Sequence, residues 1–396
     1  MKGKAIIIFA FLGVAALIFY ISTQKQTAAP TATPSAANPP KDNAAAVTVR
    51  MLYGTEKRAF IEELATEFRR DHPGIALDLT PMGSLEAADR ILDGGEKDLP
   101  TVFCPADSLV LNLLASDWQT KNGAPLFDRD GEGAPQPLLI TPLVLVAWED
   151  RATVLEKSAG GRITWSALRK AVVAPKGWAA LGGDPDWGFV KLGHTDPTRS
   201  NSGLQALLAM AVEHHGGGPK PLAVADLLDP GLQGFLRDIE KGVTKFEAST
   251  GTFMTDMIRF GPSKYDVAVV YESLAIAQIE NAQGRWGNLK VYYPTPSFWS
   301  DHPIALVNSA KLGRAEKDAA LAWMRFLRAR PAQERALAFG FRPADPAVPL
   351  KRADAANPFH RLAAQGLKVD IPPAAPTPDG PVIRNLLTMW TRFNLR

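Results

Sequence analysis

The sequence predicts an α/β fold with a parallel sheet, and three observations carry that expectation. Extended apolar runs alternate with segments of helical period from Val47 onward. The turns that lead from strand to helix are rich in Ser, Thr, Asn and Gly. The chain has 396 residues, 46% of them hydrophobic, which suits two domains or one large domain with an added segment.

Residues 47–53 read as a strand, and 56–70 follow with Phe60, Ile61, Leu64 and Phe68 on one helical face. Residues 75–80 form a second strand, whose turn at 81–84 leads into a helix carrying Leu85, Ile91 and Leu92. A short strand at 98–103 ends in the loop 104–108, which opens a helix over 109–114. The most apolar extended run, 138–148, is long enough to pass from one sheet region to another. A helix begins at 163–168, and the loop 176–188 is rich in Gly, Trp and Asp. After a break at 216–219, residues 248–252 precede a helix with Phe253, Met254, Met257 and Ile258. A buried type of strand spans 266–271 and ends in Tyr271-Glu272-Ser273 before another helix. Strands at 289–293 and 304–307 and helices at 319–327 and 332–339 follow. The Pro- and Ala-rich tail beyond Pro343 carries one last helix near 383–390, and no internal repeat is present.

The stretch from Gly193 to Gly203 organises the chain. An apolar run (Phe189, Val190, Leu192) enters a hydroxyl-rich loop, and Leu204, Leu207 and Leu208 start a helix. Free backbone N–H groups at a helix start, with the helix dipole behind them, favour an anion or an electron-rich oxygen. Ser200, Asn201 and Ser202 all suit an N-cap, and Gly203 allows close approach to the backbone. A helix cap without a ligand explains the same residues.

Four of the 44 basic and one of the 41 acidic side chains lie in residues 1–46, leaving 40 of each in the remainder. A neutral folded part argues against nucleic acid as a partner. Cys104 is the only cysteine, which excludes an intramolecular disulfide and a multi-cysteine zinc site. Its neighbours Val102 and Phe103 point to a buried strand position. Residues 1–21 hold Lys2 and Lys4 ahead of 17 uncharged residues, Ala5 to Ile21. No small-x-small cleavage site follows directly, so an uncleaved signal-anchor is favoured over a cleaved signal, with the rest of the chain exported. Residues 22–46 are an Ala/Pro/Thr linker that cannot bury a core.

The order of these pieces resembles the bacterial extracellular solute-binding proteins of the type 2 periplasmic binding fold, closest to the molybdate- and iron-binding branch. The likeness covers about residues 47–345. It rests on Gly83-Ser84, on Pro105 to Ser108, on Thr195 to Gly203, on Tyr265 to Glu272, and on the closing segment Trp323 to Leu327 with Gly340 to Pro343. The resemblance implies two α/β lobes joined by two crossing strands, near 141–148 and 293–304. Lobe one would be 47–142 plus 298–396, and lobe two 143–297. Gly83, Ser84 and Ser108 would line the interlobe cleft from lobe one, and Ser200, Asn201, Ser202, Thr250 and Tyr271 from lobe two. The cleft would take a small polar or anionic solute, without a cofactor, for delivery to an ABC-type permease. Relatives associated with von Willebrand type A modules imply another class of partner. The anchor, the loop 178–187 and the tail past Pro346 depart from the family pattern and leave a membrane-tethered sensing or interaction domain as the alternative.

Other pairs carry a bland and a sharp reading. His214-His215 precede three glycines, so a solvated helix end is favoured over a metal site. His194 with Asp196 lacks a third partner for metal or acid–base work. Asp107 caps a helix or touches ligand, and Arg199 is solvated or meets an anion. Tyr271-Glu272 is a strand end or a cleft wall. Gly-x-Ser-x-Gly, His-Glu-x-x-His and Gly-x-x-x-x-Gly-Lys are all missing from the sequence, so no enzyme is expected.

Overall fold

The computed structural model describes residues 47–351 and 356–394. The expected anchor (1–21) and linker (22–46) lie outside the described residues. Among the described residues no helix is long and apolar enough to cross a membrane.

The chain begins with β1 (Val47–Gly54), α1 (Arg58–Asp71), β2 (Ile75–Met82), α2 (Ser84–Gly94), β3 (Val102–Cys104) and α3 (Ser108–Asn122). It continues through β4 (Gln136–Pro137), β5 (Leu139–Trp148), α4 (Glu149–Ser158), α5 (Trp165–Val172), β6 (Leu192–Gly193), α6 (Asn201–His214) and α7 (Pro230–Glu240). Next come α8 (Thr250–Phe260), β7 (Val267–Tyr271), α9 (Glu272–Ala282), β8 (Leu289–Tyr292), β9 (Trp299–Ser300) and β10 (Pro303–Leu306). The closing elements are α10 (Arg314–Arg328), α11 (Arg330–Ala336), β11 (Arg342–Pro343), α12 (Pro358–Arg361) and α13 (Gly380–Asn394).

Two sheets result. The first has the order β2-β1-β3-β10-β4, and the second runs β11-β5-β7-β6 with β8 and β9 also on β5. The all-parallel expectation is corrected. β1 pairs parallel with β2 and β3, and β6 with β7. β10 is antiparallel to β3 and β4, and β5 is antiparallel to β7, β8, β9 and β11. The physical reason is the linkage: between the sheets the chain runs as extended segments, not helical crossovers, so strands beyond each passage enter reversed.

β5 is buried at every position but Ile140. Its alternation sends Leu143 and Leu145 to one face and Val144 and Val146 to the other. On the first face lies α6, whose residues 201–212 are all buried, apolar along most of its length with the polar Asn201, Ser202 and Gln205 at its start. On the second face α8 and α9 bury Phe253, Met257, Ala275 and Ile279, joined by Val348, Phe359, Leu362 and Leu367 of the tail. The first sheet packs against α1 and α10 through Phe60, Phe68 and Trp323; Phe68 meets the Trp323 ring at 5.0 Å.

The Trp- and Asp-rich loop has a structural task. Trp178 is fully buried and donates to Asp266 Oδ2 at 3.1 Å, a carboxylate that also accepts from the Lys191 amide at 2.8 Å. Trp187 packs edge-on against Trp178 and under the Arg151 guanidinium. α13 bridges helices of both sheets. Arg384 pairs with Asp117 of α3, and Trp390 donates to Glu240 of α7 at 2.8 Å.

Leu145→Ala removes a fully buried branched side chain from the most central strand. It is expected to lower stability by about 3 kcal/mol in urea unfolding monitored by tryptophan fluorescence. A change within experimental error would contradict the central placement of β5.

Candidate functional site

Five helix starts, those of α2, α3, α6, α8 and α9, meet where the two sheets face each other. Gly83 is the N-cap of α2, and an ideal Cβ on it would lie 2.6 Å from the Arg199 carbonyl and 2.9 Å from that of Ala248. A residue without Cβ therefore lets backbone meet backbone here. The amides of Leu85 and Glu86 donate to that same Arg199 carbonyl, at 3.2 and 3.1 Å. Ser84 Oγ accepts from the Ala106 amide at 2.9 Å, tying the β2 corner to the β3 corner. The Ser108 amide donates to Asp301 Oδ1 at 2.8 Å, and the Ser108 hydroxyl donates to Oδ2 of the same carboxylate.

On the second-sheet side the hydroxyls form a buried cluster. Ser202 Oγ lies 2.8 Å from Thr195 Oγ1 and 2.7 Å from Thr250 Oγ1, and Ser200 Oγ lies 3.2 Å from Thr250 Oγ1. Asn201 Nδ2 donates to Tyr271 Oη at 3.0 Å and to Ser300 Oγ at 3.2 Å. Gly203 sits under Thr195, where a Cβ would approach the Thr195 carbonyl oxygen to 2.2 Å. The structure thus gathers Ser200, Ser202 and Thr250 into one network and Asn201 with Tyr271 into another. Ser84 and Ser108 are engaged within the first-sheet side.

Several residues central to this junction were not singled out from sequence. Lys57 is fully buried; its Nζ lies 2.7 Å from Glu56 Oε1 and 3.2 Å from His302 Nδ1, and it donates to the Pro105 carbonyl. His302 adopts φ 42, a left-handed conformation uncommon outside glycine, and its ring lies between Tyr271 and Phe341. Gln205 Nε2 crosses the junction, donating to Asp107 Oδ2 at 2.7 Å and to Ser300 Oγ at 3.0 Å. Two signals were present: Gly54-Thr55-Glu56 ends β1 as Gly83-Ser84 ends β2, and Gln205 stands one turn from Asn201.

The electrostatics follow from burial. Burial opposes ionisation of Glu56, but Lys57 and His302 outweigh it and hold the carboxyl down at about 2. Burial and the Lys57 charge lower His302 below its usual range, which keeps the ring neutral. Burial, then the Asp301 charge, pushes Asp107 up to about 7 while it caps α3 through the Leu109 amide at 2.8 Å. Burial raises the Cys104 thiol to about 12, so it is an inert core group. The remaining open readings resolve locally. Arg199 reaches across to Glu86 at 2.6 Å, and His194 pairs with Glu240 at 3.0 Å, not with Asp196. Glu272 is buried against Arg342 in a two-pronged pair, both contacts 2.8 Å. His214 contacts Asp229 at 2.7 Å near His215, a grouping within reach of a metal ion but remote from the junction elements.

A cavity of about 400 Å³ opens at the junction, lined by Thr55 and Glu56 from one side and Gly251, Thr252 and Ser273 from the other. Its size suits a small molecule. A hollow of about 530 Å³ between α2, α3 and α13 is lined by leucines together with polar side chains such as Asp89, Asp117 and Arg384; neither hollow is lined by the eight residues named from sequence, and only the junction cavity reaches Glu56 and the buried Ser273.

Glu56 ionises at about 2 in the folded chain against an ordinary 4.5. Its charge therefore stabilises the fold above that ordinary value, and the contribution is lost as pH falls from 4.5 toward 2. Glu56→Gln is expected to lower Tm at neutral pH and to flatten the acid limb of the Tm–pH curve. Parallel acid limbs for the two proteins would refute the assignment.

Residues 49–342 match the family described as bacterial extracellular solute-binding protein. A search of curated sequences finds no match. Among solved structures, a periplasmic thiamin binding protein superposes with TM-score 0.63 at 12% identity, covering 91% of this chain and 100% of its own. The sulfate-binding protein SubI from Mycobacterium tuberculosis H37Rv gives TM-score 0.54 at 18% identity, covering 86% and 95%. An extracellular solute-binding protein from Bordetella parapertussis gives 0.52 at 15%, covering 87% and 98%. With well over half of its length matched, the chain belongs to the bacterial extracellular solute-binding proteins.

Proposed function

We propose that the chain captures a small polar solute between two lobes, 47–142 with 298–396 and 143–297, and presents it to an ABC-type importer outside the cytoplasmic membrane. The observation that carries this reading is the junction itself, where helix starts from both sheets bond directly to one another and a small cavity opens between Thr55 and Gly251. Separation of the lobes would occur about the extended connections near 138–142 and 298–303, a hinge motion that exposes the polar groups. A solute touching both sides stabilises the closed arrangement by its differential affinity.

Gly83, Ser84 and Ser108 would frame the site from one lobe, and Ser200, Asn201, Ser202, Thr250 and Tyr271 from the other. No reaction is proposed: the hydroxyls of Ser202 and Thr250 bond to each other, Ser202 also to Thr195 and Thr250 also to Ser200, without a general base among those partners. The molybdate- and iron-binding branch remains our closest placement within the family. Neighbours of this fold are named for sulfate, an anion, and for thiamin, a cation, so the fold does not choose the charge of the solute. Attachment to the membrane through residues 5–21 would make a tethered sensor with the same site, a reading that the apolar run favours. A von Willebrand type A partner would fit that second role.

A thermal-shift screen of the purified protein against oxyanions, amines, sugars and amino acids tests the proposal. A solute at 100 times its Kd adds about 2.7 kcal/mol and raises Tm visibly. Asn201→Ala with Ser202→Ala should abolish that shift while the unliganded protein still unfolds cooperatively. An undiminished shift in the double variant would remove these residues from the site.

A further inference from the structure

The charge of the solute can be argued from what the junction leaves unpaired. Its cations are already matched. Lys57 is held by Glu56, Arg199 by Glu86, Arg342 by Glu272, and Lys264 by Asp256 and Glu247. Most of the helix starts that would otherwise attract an anion are answered by the chain's own oxygens. The first amides of α2 bond to the Arg199 carbonyl, and those of α3 to Asp301 and Asp107. Gly251 in the first turn of α8 bonds to Thr55 Oγ1, and Ser273 in that of α9 to Thr141 Oγ1. The start of α6 carries no side-chain cap, and it is there that an oxyanion would compete.

Among the buried side-chain atoms without a partner near the junction are Ser273 Oγ, His302 Nε2 and two carbonyl oxygens on α6, and the two on α6 are acceptors. Asp107 and Asp301 stand together at the start of α3, and both interact with the Ser108–Leu109 turn. Opposite them, Asn201 and Gln205 are each 1% exposed, and neither Asn201 Oδ1 nor Gln205 Oε1 has a hydrogen-bond partner. The nitrogens fix which way these amides face. Gln205 Nε2 faces the Asp107 carboxylate, and both amide nitrogens donate to Ser300 Oγ. Unpartnered buried carbonyl oxygens beside two carboxylates require donors.

We infer that this junction selects a solute carrying an ammonium or amidinium group, seated against Asp107 and Asp301 with Asn201 Oδ1 and Gln205 Oε1 accepting from it. The inference rests on the solute-binding reading of the cleft and adds the chemical class. Asp107 is faced by Asp301 from the β9–β10 corner, by Asn201 and Gln205 from α6, and by Tyr271 from β7; Glu56, Lys57 and His302 complete the nearby charged and titratable groups. A bound cation favours the ionised carboxylate, so binding strengthens as pH rises through the Asp107 titration near 7.

The test is calorimetric titration of the purified protein with agmatine, putrescine and choline, against sulfate, molybdate and glucose, from about pH 6 to about pH 8. At least one of the cations should bind, more tightly at the higher pH. Asp107→Asn keeps an N-capping side chain and so the helix start, while removing the charge. It should weaken that cation about tenfold or more and flatten the pH dependence, with cooperative thermal unfolding retained. Binding of an oxyanion or glucose with no cation bound would overturn the charge assignment and leave solute capture standing. Silence from all six would overturn both. A cation bound equally well by the Asp107→Asn protein would remove Asp107 from the site.

Discussion

Everything in the folded chain hangs on β5. Ten consecutive residues, nine of them buried, place a row of backbone donors and acceptors beyond the reach of water. Four strands from distant parts of the sequence pair with it: β7, β8, β9 and β11. β11 meets its first residues, β9 the next two and β8 its last, so the strand that fills the second sheet also carries the chain in from the first. Because its faces alternate, β5 fixes which helices lie above and below the sheet, and hence where α6, α8 and α9 begin.

Much of this was legible because it is local. The run 138–148 could hardly be anything but a buried strand, and Gly83-Ser84 and Ser200 to Gly203 announce helix starts by residue type alone. Two helices gave weaker signals. α7 contains Gly231 and Gly234, which lower its propensity, and is held by the burial of Leu232, Phe235, Leu236 and Ile239. α4 follows β5 without a loop, Trp148 serving as both last strand residue and N-cap. The strand directions after the inter-sheet passages were misjudged, since alternation of strands and helices is silent on how the chain turns between sheets.

At the junction the residue types were visible but their partners were not. Ser108 and Asp301 are 193 residues apart, and Gln205 and Asp107 are 98 apart. Nothing in local pattern joins such pairs. The hydroxyl-rich loops invite an anion when read singly. Assembled, most of these helix starts are answered by the chain's own oxygens, carboxylates at α3, a carbonyl at α2 and hydroxyls at α8 and α9, and the neighbouring cations are paired off. The placement of charge is a property of the tertiary structure, whereas the supply of polar groups is a property of the sequence.

The contact at Gly83 is made by main-chain atoms of three segments, with no side chain between them. Substitutions elsewhere along these loops can alter the lining without touching that contact. At residue 83, however, a single methyl group would act as a doorstop: two carbonyl oxygens occupy the space it needs, and the surfaces could no longer come together. The absence of a Cβ at residue 83 therefore sets how closely these three segments can approach one another.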